Sequence, residues 1–236
     1  MKTIIKLFIA PLFAASFCCA QTTELVVGNR PLTINNPPGY VSACDKSEEL
    51  RGLFASSLPP THSMVACFLE KKEFELYPEV DPNIDNPYLH IQALKALNGR
   101  DLTQPEFDAF RATIVAQQDS MFANLSPKLK DILDNASAEA SEVLASDVSV
   151  DIEGIIPLGV FSDTENNIGF GLIRNSKIST VEGDITVSEA IASNMVLIDG
   201  RLLILHGAKA RLGESDYEQV KNLILQWGEN IKVKGQ

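Results

Sequence analysis

The chain has 236 residues, 45% hydrophobic and 22% charged, with a formal net charge of −11. That balance belongs to an ordinary globular protein and excludes a disordered chain, and one large domain is the natural expectation at this length. An acidic excess of this size is repelled by phosphate backbones and anionic lipid surfaces, which argues against nucleic acid as a partner.

The first element is an address. Lys2 and Lys6 give a positive start, Leu7 to Phe17 is an apolar run broken by Pro11 and small residues, and Cys18, Cys19 and Ala20 stand where a signal peptidase reads small side chains. This is the pattern of a secretory signal peptide over residues 1–20, cleaved between Ala20 and Gln21, and it predicts a periplasmic or secreted protein. The run is too short for a permanent span, and no later segment reaches the roughly 20 apolar residues that a stable membrane span needs. A lipid anchor calls for a small residue before the acylated cysteine, whereas Phe17 precedes Cys18 and Cys18 precedes Cys19. With the leader removed, only Cys44 and Cys67 remain, and an even pair in an oxidising compartment predicts a disulfide between them. The C-x-x-C spacing that lowers a thiol pKa is absent, so the expected role is structural.

Glu24 to Ile34 is β-prone, with Gly28-Asn29 as a turn, and Asn35 to Gly39 breaks regular structure. A helix is expected after the acidic stretch Asp45 to Glu49, carrying Leu50, Leu53, Phe54 and Leu58 and stopped by Pro59-Pro60. Ser63 to Leu69 reads as a buried strand, so the disulfide ties the helix entrance to it. After a proline-punctuated link over Asp81 to Pro87, Asn86 and Pro87 are placed to start a helix bearing Tyr88, Ile91, Leu94 and Leu97, ended by Asn98-Gly99. Thr103 and Glu106 form a capping box before a stripe of Phe107, Phe110, Ile114 and Met121. Ser126-Pro127 restarts the pattern for a third amphipathic helix with Leu129, Ile132, Leu133, Ala136, Ala140, Val143 and Leu144. Residues 87–145 therefore read as a helical block.

From Val148 the period becomes strand-like, clearest at Ile155 to Phe161, Ile168 to Arg174, Ala190 to Ile198 and Arg201 to His206. Asp199-Gly200 is the strongest hairpin signal, and Asp163 to Asn167 is a second turn. A final helix is expected from Ser215, boxed by Glu218, with Val220, Leu223, Ile224, Trp227 and Ile231 on one face. This order predicts a single α+β domain over residues 21–236. It is a twisted antiparallel sheet covered on one face by helices, with the helical block between its N-terminal and C-terminal strands.

The runs Asn29-Arg30-Pro31-Leu32 and Pro37-Pro38-Gly39-Tyr40, the segment Leu94 to Arg100, and the Leu197 to Leu203 hairpin with its Trp227 helix resemble a group of secreted proteobacterial proteins that carries no assigned activity. More loosely, an antiparallel sheet whose late hairpin precedes a C-terminal helix is similar to the PsbP, Mog1 and DcrB superfamily of α+β accessory proteins. That likeness covers the N-terminal third and the last ninety or so residues; the helical block departs from it. The shared motifs are turn and core residues, so they imply a fold and no site.

No catalytic signature stands out. Asp81, Asn83 and Asp85 copy the first half of a calcium loop, but Asn86 and Gln92 stand where glycine and a bidentate glutamate belong, and Pro82 and Pro87 stiffen it. His62, His90 and His206 lack ligand spacing on one helix face; His62 and His90 are expected at the surface and His206 half exposed at a strand end. Ser137, Ser141 and Ser146 lack a nucleophile-elbow context. Asp147, Asp151 and Glu153 alternate as the wet side of a strand does, and Gly169 and Gly171 lack the helix of a phosphate loop. Trp227 is expected to anchor the last helix.

These readings favour a non-enzymatic accessory or binding protein with no catalytic residue, cofactor or metal. Its partner would be an envelope protein or a small ligand, with a monomer as the default. One alternative is an envelope hydrolase with a non-local site near His206 and the acids between Asp147 and Asp163. Another is an assembly protein that docks through an exposed stripe on the Phe107 or Leu129 helix.

Overall fold

The computed structural model describes residues 21–56, 58–77, 86–123, 148–210, 213 and 215–231. The expected leader with its Ala20 cleavage site, the Asp81–Asp85 loop, the Leu129 helix, Asp147 and the three serines of residues 137–146 lie outside them.

The described residues begin with a hairpin of β1 (Thr22–Val27) and β2 (Arg30–Asn35), a two-stranded sheet of its own. Its residues alternate, with Leu25, Val27, Leu32 and Ile34 buried and Glu24 and Val26 outward, as a half-buried ribbon requires. Next come β3 (Tyr40–Ser42), α1 (Glu48–Ser56), β4 (His62–Glu70), α2 (Lys71–Leu76) and β5 (Tyr88–Leu94). A single 3-10 turn (Lys95–Leu97) leads to α3 (Gln104–Ala123). The chain closes with β6 (Val148–Thr164), β7 (Asn167–Thr180), β8 (Gly183–Ile198), β9 (Arg201–Ala210) and α4 (Ser215–Asn230). Seven strands form one antiparallel sheet in the order β3-β4-β5-β9-β8-β7-β6. The fold is therefore α+β, as the element order predicts.

Helix α4 and the β1–β2 hairpin cover one face of the sheet. There Phe68, Leu89, Ile91, Leu203 and Leu205 meet Val220, Ile224 and Trp227. Trp227 is 1% exposed, meets the Phe68 ring edge-on at 5.1 Å and donates its indole N–H to the Asn35 carbonyl at 3.1 Å, so the polar tip is satisfied where the ring is dry. A side chain at Gly171 would collide with the Tyr217 ring, so only glycine lets the start of α4 lie this close to β7. Asp199 and Gly200 both adopt positive φ, 48° and 74°, the geometry of the two-residue turn that matches strand twist. The turn sets the β8–β9 register, with Ile198 opposite Arg201.

Two expectations need correction. The helix expected from Pro87 is strand β5, paired with β4 on one side and β9 on the other. Tyr88, Ile91 and Leu94 fall at i, i+3 spacing and mimic a helix, which competes with the period-two alternation of Leu89, Ile91 and Ala93 with the polar His90 and Gln92; the residues of both alternating sets are buried. Among the described residues the helical block is thus α3, whose Phe107 and Ile114 are buried. Arg111 pairs with Asp163 at 3.1 Å and Gln104 donates to the Glu165 carbonyl at 2.7 Å, which seats α3 on β6 and the β6–β7 turn. Helices also do not keep to one face. Cys67 alternates with Phe68 along β4, so α1, with Leu50 and Phe54, packs on the face opposite Trp227.

The caps differ in outcome. Glu106 accepts the Thr103 backbone N–H at 2.9 Å as expected, whereas the box at α4 shifts by two residues, Asp216 accepting the Gly213 N–H at 2.6 Å. Glu218 instead pairs with Lys221 at 2.6 Å.

Cys44 and Cys67 are bonded, S–S 2.02 Å, both buried and 23 residues apart. A loop of that length constrains the unfolded chain by about 3 kcal/mol in the chain-entropy model. Cys44→Ser/Cys67→Ser is expected to lower urea-unfolding stability by about 3 kcal/mol; a change below about 1 kcal/mol would show the bond contributes little.

Candidate functional site

The pleat that sends Leu89, Ile91 and Ala93 toward α4 sends Tyr88, His90 and Gln92 to the other face. Register then aligns a transverse row: Cys67 lies opposite His90, His90 opposite His206, and His206 opposite Ser193. Four strands thus place a disulfide, two imidazoles and a hydroxyl side by side.

The two imidazoles stack, with centroids 4.5 Å apart and planes 24° from parallel. Tyr88 lies nearly parallel to His90 at 6.5 Å. From α1, the Phe54 ring meets Tyr88 and His90 edge-on at 5.6 and 6.0 Å. Gln92 Nε2 lies 2.5 Å from His90 Nε2; with the amide donating, the His90 proton sits on Nδ1, which is buried and has no hydrogen-bond partner. Ser193, 5% exposed, places Oγ 2.8 Å from His206 Nδ1. Beyond this row, Glu189 stands opposite Arg174. Its Oε2 accepts from Arg174 Nε at 2.8 Å and its Oε1 from the Tyr88 hydroxyl at 3.2 Å.

Burial disfavours charge on both imidazoles. It pushes His206 down to about 3, with the Arg174 and His62 charges acting the same way, and it holds His90 well below the usual histidine range, aided by His206. Burial, then Glu189, raises the Tyr88 phenol. Burial works against the Arg174 charge too, but Glu189 and Tyr88 more than restore it and its pKa is raised. At neutral pH the row is therefore two neutral imidazoles beside a compensated ion pair. A neutral His206 is able to accept a hydrogen bond from Ser193, but its burial makes it a weak base. The buried carboxylate of this face, however, is engaged by Arg174 and Tyr88.

The sequence-based placements of the histidines are corrected in part. His90 is 3% exposed and not at the surface, because its segment is a central strand. His206 lies within β9, not at its end, and is partly buried. His62 opens β4 and is partly buried; burial and then Lys95 lower its pKa. Asp151 and Glu153 are exposed on β6, and Asp163 pairs with Arg111 at 3.1 Å, so these acids do not gather at His206. Gly169 and Gly171 lie inside β7. Gln21 is exposed, its carbonyl accepting the Asn36 N–H at 2.8 Å. Among the described residues no three His, Cys, Asp or Glu side chains gather as a metal site. Ser193, Gln92, Tyr88, Glu189, Arg174 and Phe54 carry no motif; the available signal was the alternation of Tyr88, His90 and Gln92 with Leu89, Ile91 and Ala93.

No family model and no curated protein matches the chain. Among solved structures it is similar to the Saccharomyces cerevisiae Ran-binding protein Mog1p, a 1.9 Å crystal structure, with TM-score 0.37, 10% identity, and coverage of 91% of this chain and 96% of that one. A likeness of this size carries no argument about fold or function. Nothing in these comparisons points to the secreted proteobacterial group.

Removing one member of the Arg174–Glu189 pair leaves a largely buried charge without its counter-ion. Arg174→Met is expected to cost about 2 kcal/mol in urea unfolding, and adding Glu189→Gln to recover at least half. Equal losses in the single and double variants would mean that the two side chains act independently.

Proposed function

We propose that the protein is an exported accessory protein that binds an envelope protein or a small ligand and does not transform it. One observation carries this reading: among the described residues the Ser193–His206 pair has no free carboxylate to orient it, because Glu189 is held by Arg174 and Tyr88. A hydroxyl–imidazole pair acts in acyl transfer when a third group fixes the imidazole tautomer and stabilises the imidazolium. Here burial, then Arg174 and His62, oppose an imidazolium at His206. The hydrolase alternative therefore lacks its third member.

Export is supported by the Cys44–Cys67 bond, which persists in an oxidising compartment. Among the described residues no helix is long and apolar enough to cross a membrane. The alternative of docking through α3 has less support, since Phe107 and Ile114 turn inward and, among the described side chains of that helix, Val115 is the exposed large apolar one.

Two measurements test this. Activated acyl esters incubated with the full chain, Ser193→Ala and His206→Ala are expected to turn over at the same background rate, and hydrolysis lost in both variants overturns the non-enzymatic reading. Expression in a Gram-negative host followed by fractionation is expected to yield an oxidised chain beginning at Gln21 in the periplasm or medium. Uncleaved cytosolic chain with reduced cysteines overturns export.

A further inference from the structure

The charges around the stacked histidines are one-sided. Among the described residues, the basic groups that act on the pair from outside it are His62 from β4 and Arg174 from β7, and each histidine of the pair, from β5 and β9, faces the other. The one carboxylate among them, Glu189 of β8, already opposes Arg174 and accepts the Tyr88 hydroxyl. The remaining neighbours bring no negative charge: Tyr88, Gln92 and Ser193 are neutral, Cys67 is in the disulfide, and α1 presents Phe54. Among the described residues, a first proton on either ring meets no free counter-ion, and a second would sit on a ring 4.5 Å away.

What seals this cluster is α1. Its Phe54 lies edge-on to both Tyr88 and His90. Near its start, α1 is fixed to β4 by the Cys44–Cys67 bond and by the Ala43 N–H donated to the Cys67 carbonyl at 2.9 Å. The start of α1 is therefore covalently held to the sheet, and its Phe54 end lies over Tyr88 and His90, beside His206, before the chain re-enters the sheet at His62.

We infer that α1 is an acid-released cover: protonation of the His90–His206 pair lifts the Phe54 end of the helix, while the disulfide keeps its other end on the sheet, baring the Tyr88–His90–His206 surface. The direction follows from linkage. Both histidines have closed-state pKa values below the solvated value of about 6.5, so the closed state binds fewer protons than the open one. Closure is complete above that value and weakens as pH falls below it toward the closed-state values, by up to about tenfold per pH unit for each histidine. This regulation does not depend on the ligand or on the non-enzymatic reading.

Amide hydrogen exchange on the full, oxidised chain reads it directly, comparing α1 with α4 at about pH 7 and about pH 4.5 after correction for intrinsic rates. The expected result is a loss of α1 protection at least tenfold greater than that of Val220, Ile224 and Trp227 in α4, and its abolition in His90→Gln/His206→Gln, which stays neutral. Unchanged α1 protection overturns the inference, as does equal loss in α1 and α4, which is global acid unfolding, or a loss that persists in the double variant. Should near-ultraviolet dichroism show that the double variant does not fold at about pH 7, the wild-type comparison and single His206→Gln, expected to halve the logarithmic loss, decide it.

Discussion

Strict two-residue alternation along β5, β9 and β8 is the constraint on which the molecule depends. Leu89, Ile91, Leu203 and Leu205 point to the Trp227 side, and His90, Gln92, His206 and Ser193 to the other. A slip of one residue in any of these strands would drive imidazole into the aliphatic core and leucine into the polar row, reversing every side chain at once. The register is correspondingly over-determined. The Asp199-Gly200 turn fixes β8 against β9, and the disulfide anchors the segment before α1 to the β4 residue that stands opposite His90. Arg30 adds a tie at the turn end, bonding Asp199 at 2.9 Å and Asp101 at 3.0 Å.

The polar row is costly where it stands. The orphaned Nδ1 of His90 alone forfeits about 1–3 kcal/mol of hydration, and replacing a buried polar network by apolar residues of similar volume is often neutral or stabilising. Structure alone does not require two imidazoles, a hydroxyl and an ion pair in the middle of a sheet whose other face is packed with leucine and isoleucine. The functional reading of the row rests on this excess of polarity. Among the described residues, the groups that deny His206 a free carboxylate also deny an imidazolium a counter-ion, so the proposed binding role and the inferred response to acid rest on one electrostatic arrangement.

Much of the fold was legible because local chemistry and tertiary placement agree. Glu24 to Ile34, Ser63 to Leu69, the Asp199-Gly200 turn and the Val220–Ile224–Trp227 stripe each carry a period or a backbone requirement that the folded molecule keeps. The Tyr88 segment was misread for a physical reason: Tyr88, Ile91, Leu94 and Leu97 fit a helical spacing by coincidence, and that longer pattern outweighed the short alternation of Leu89, Ile91 and Ala93 with His90 and Gln92. The error carried His90 with it, since a histidine near a helix start belongs to solvent and one opposite Cys67 does not. Ser193, Arg174 and Glu189 were beyond reach for another reason. Their partners lie on other strands, and pairing register is a long-range property that no spacing within one segment encodes. The first half of β8, from Gly183, lacks an apolar run and owes its strand state to pairing with β7.

The disulfide links these strands of argument. A helix tied to its sheet only by ring contacts would, once displaced, be free to carry the neighbouring chain with it, and local opening would merge into unfolding. Bonding Cys44 to Cys67 confines displacement to the short path between Cys44 and His62, where the chain re-enters the sheet. The entropy of reclosing stays small because loop cost grows only with the logarithm of length. The same bond forms where glutathione does not reduce it, which ties the mechanical role of the crosslink to the compartment in which the leader would place the protein. On this view Cys44 and Cys67 make an opening beside them reversible, a requirement that a purely stabilising crosslink would not impose on its position next to His90.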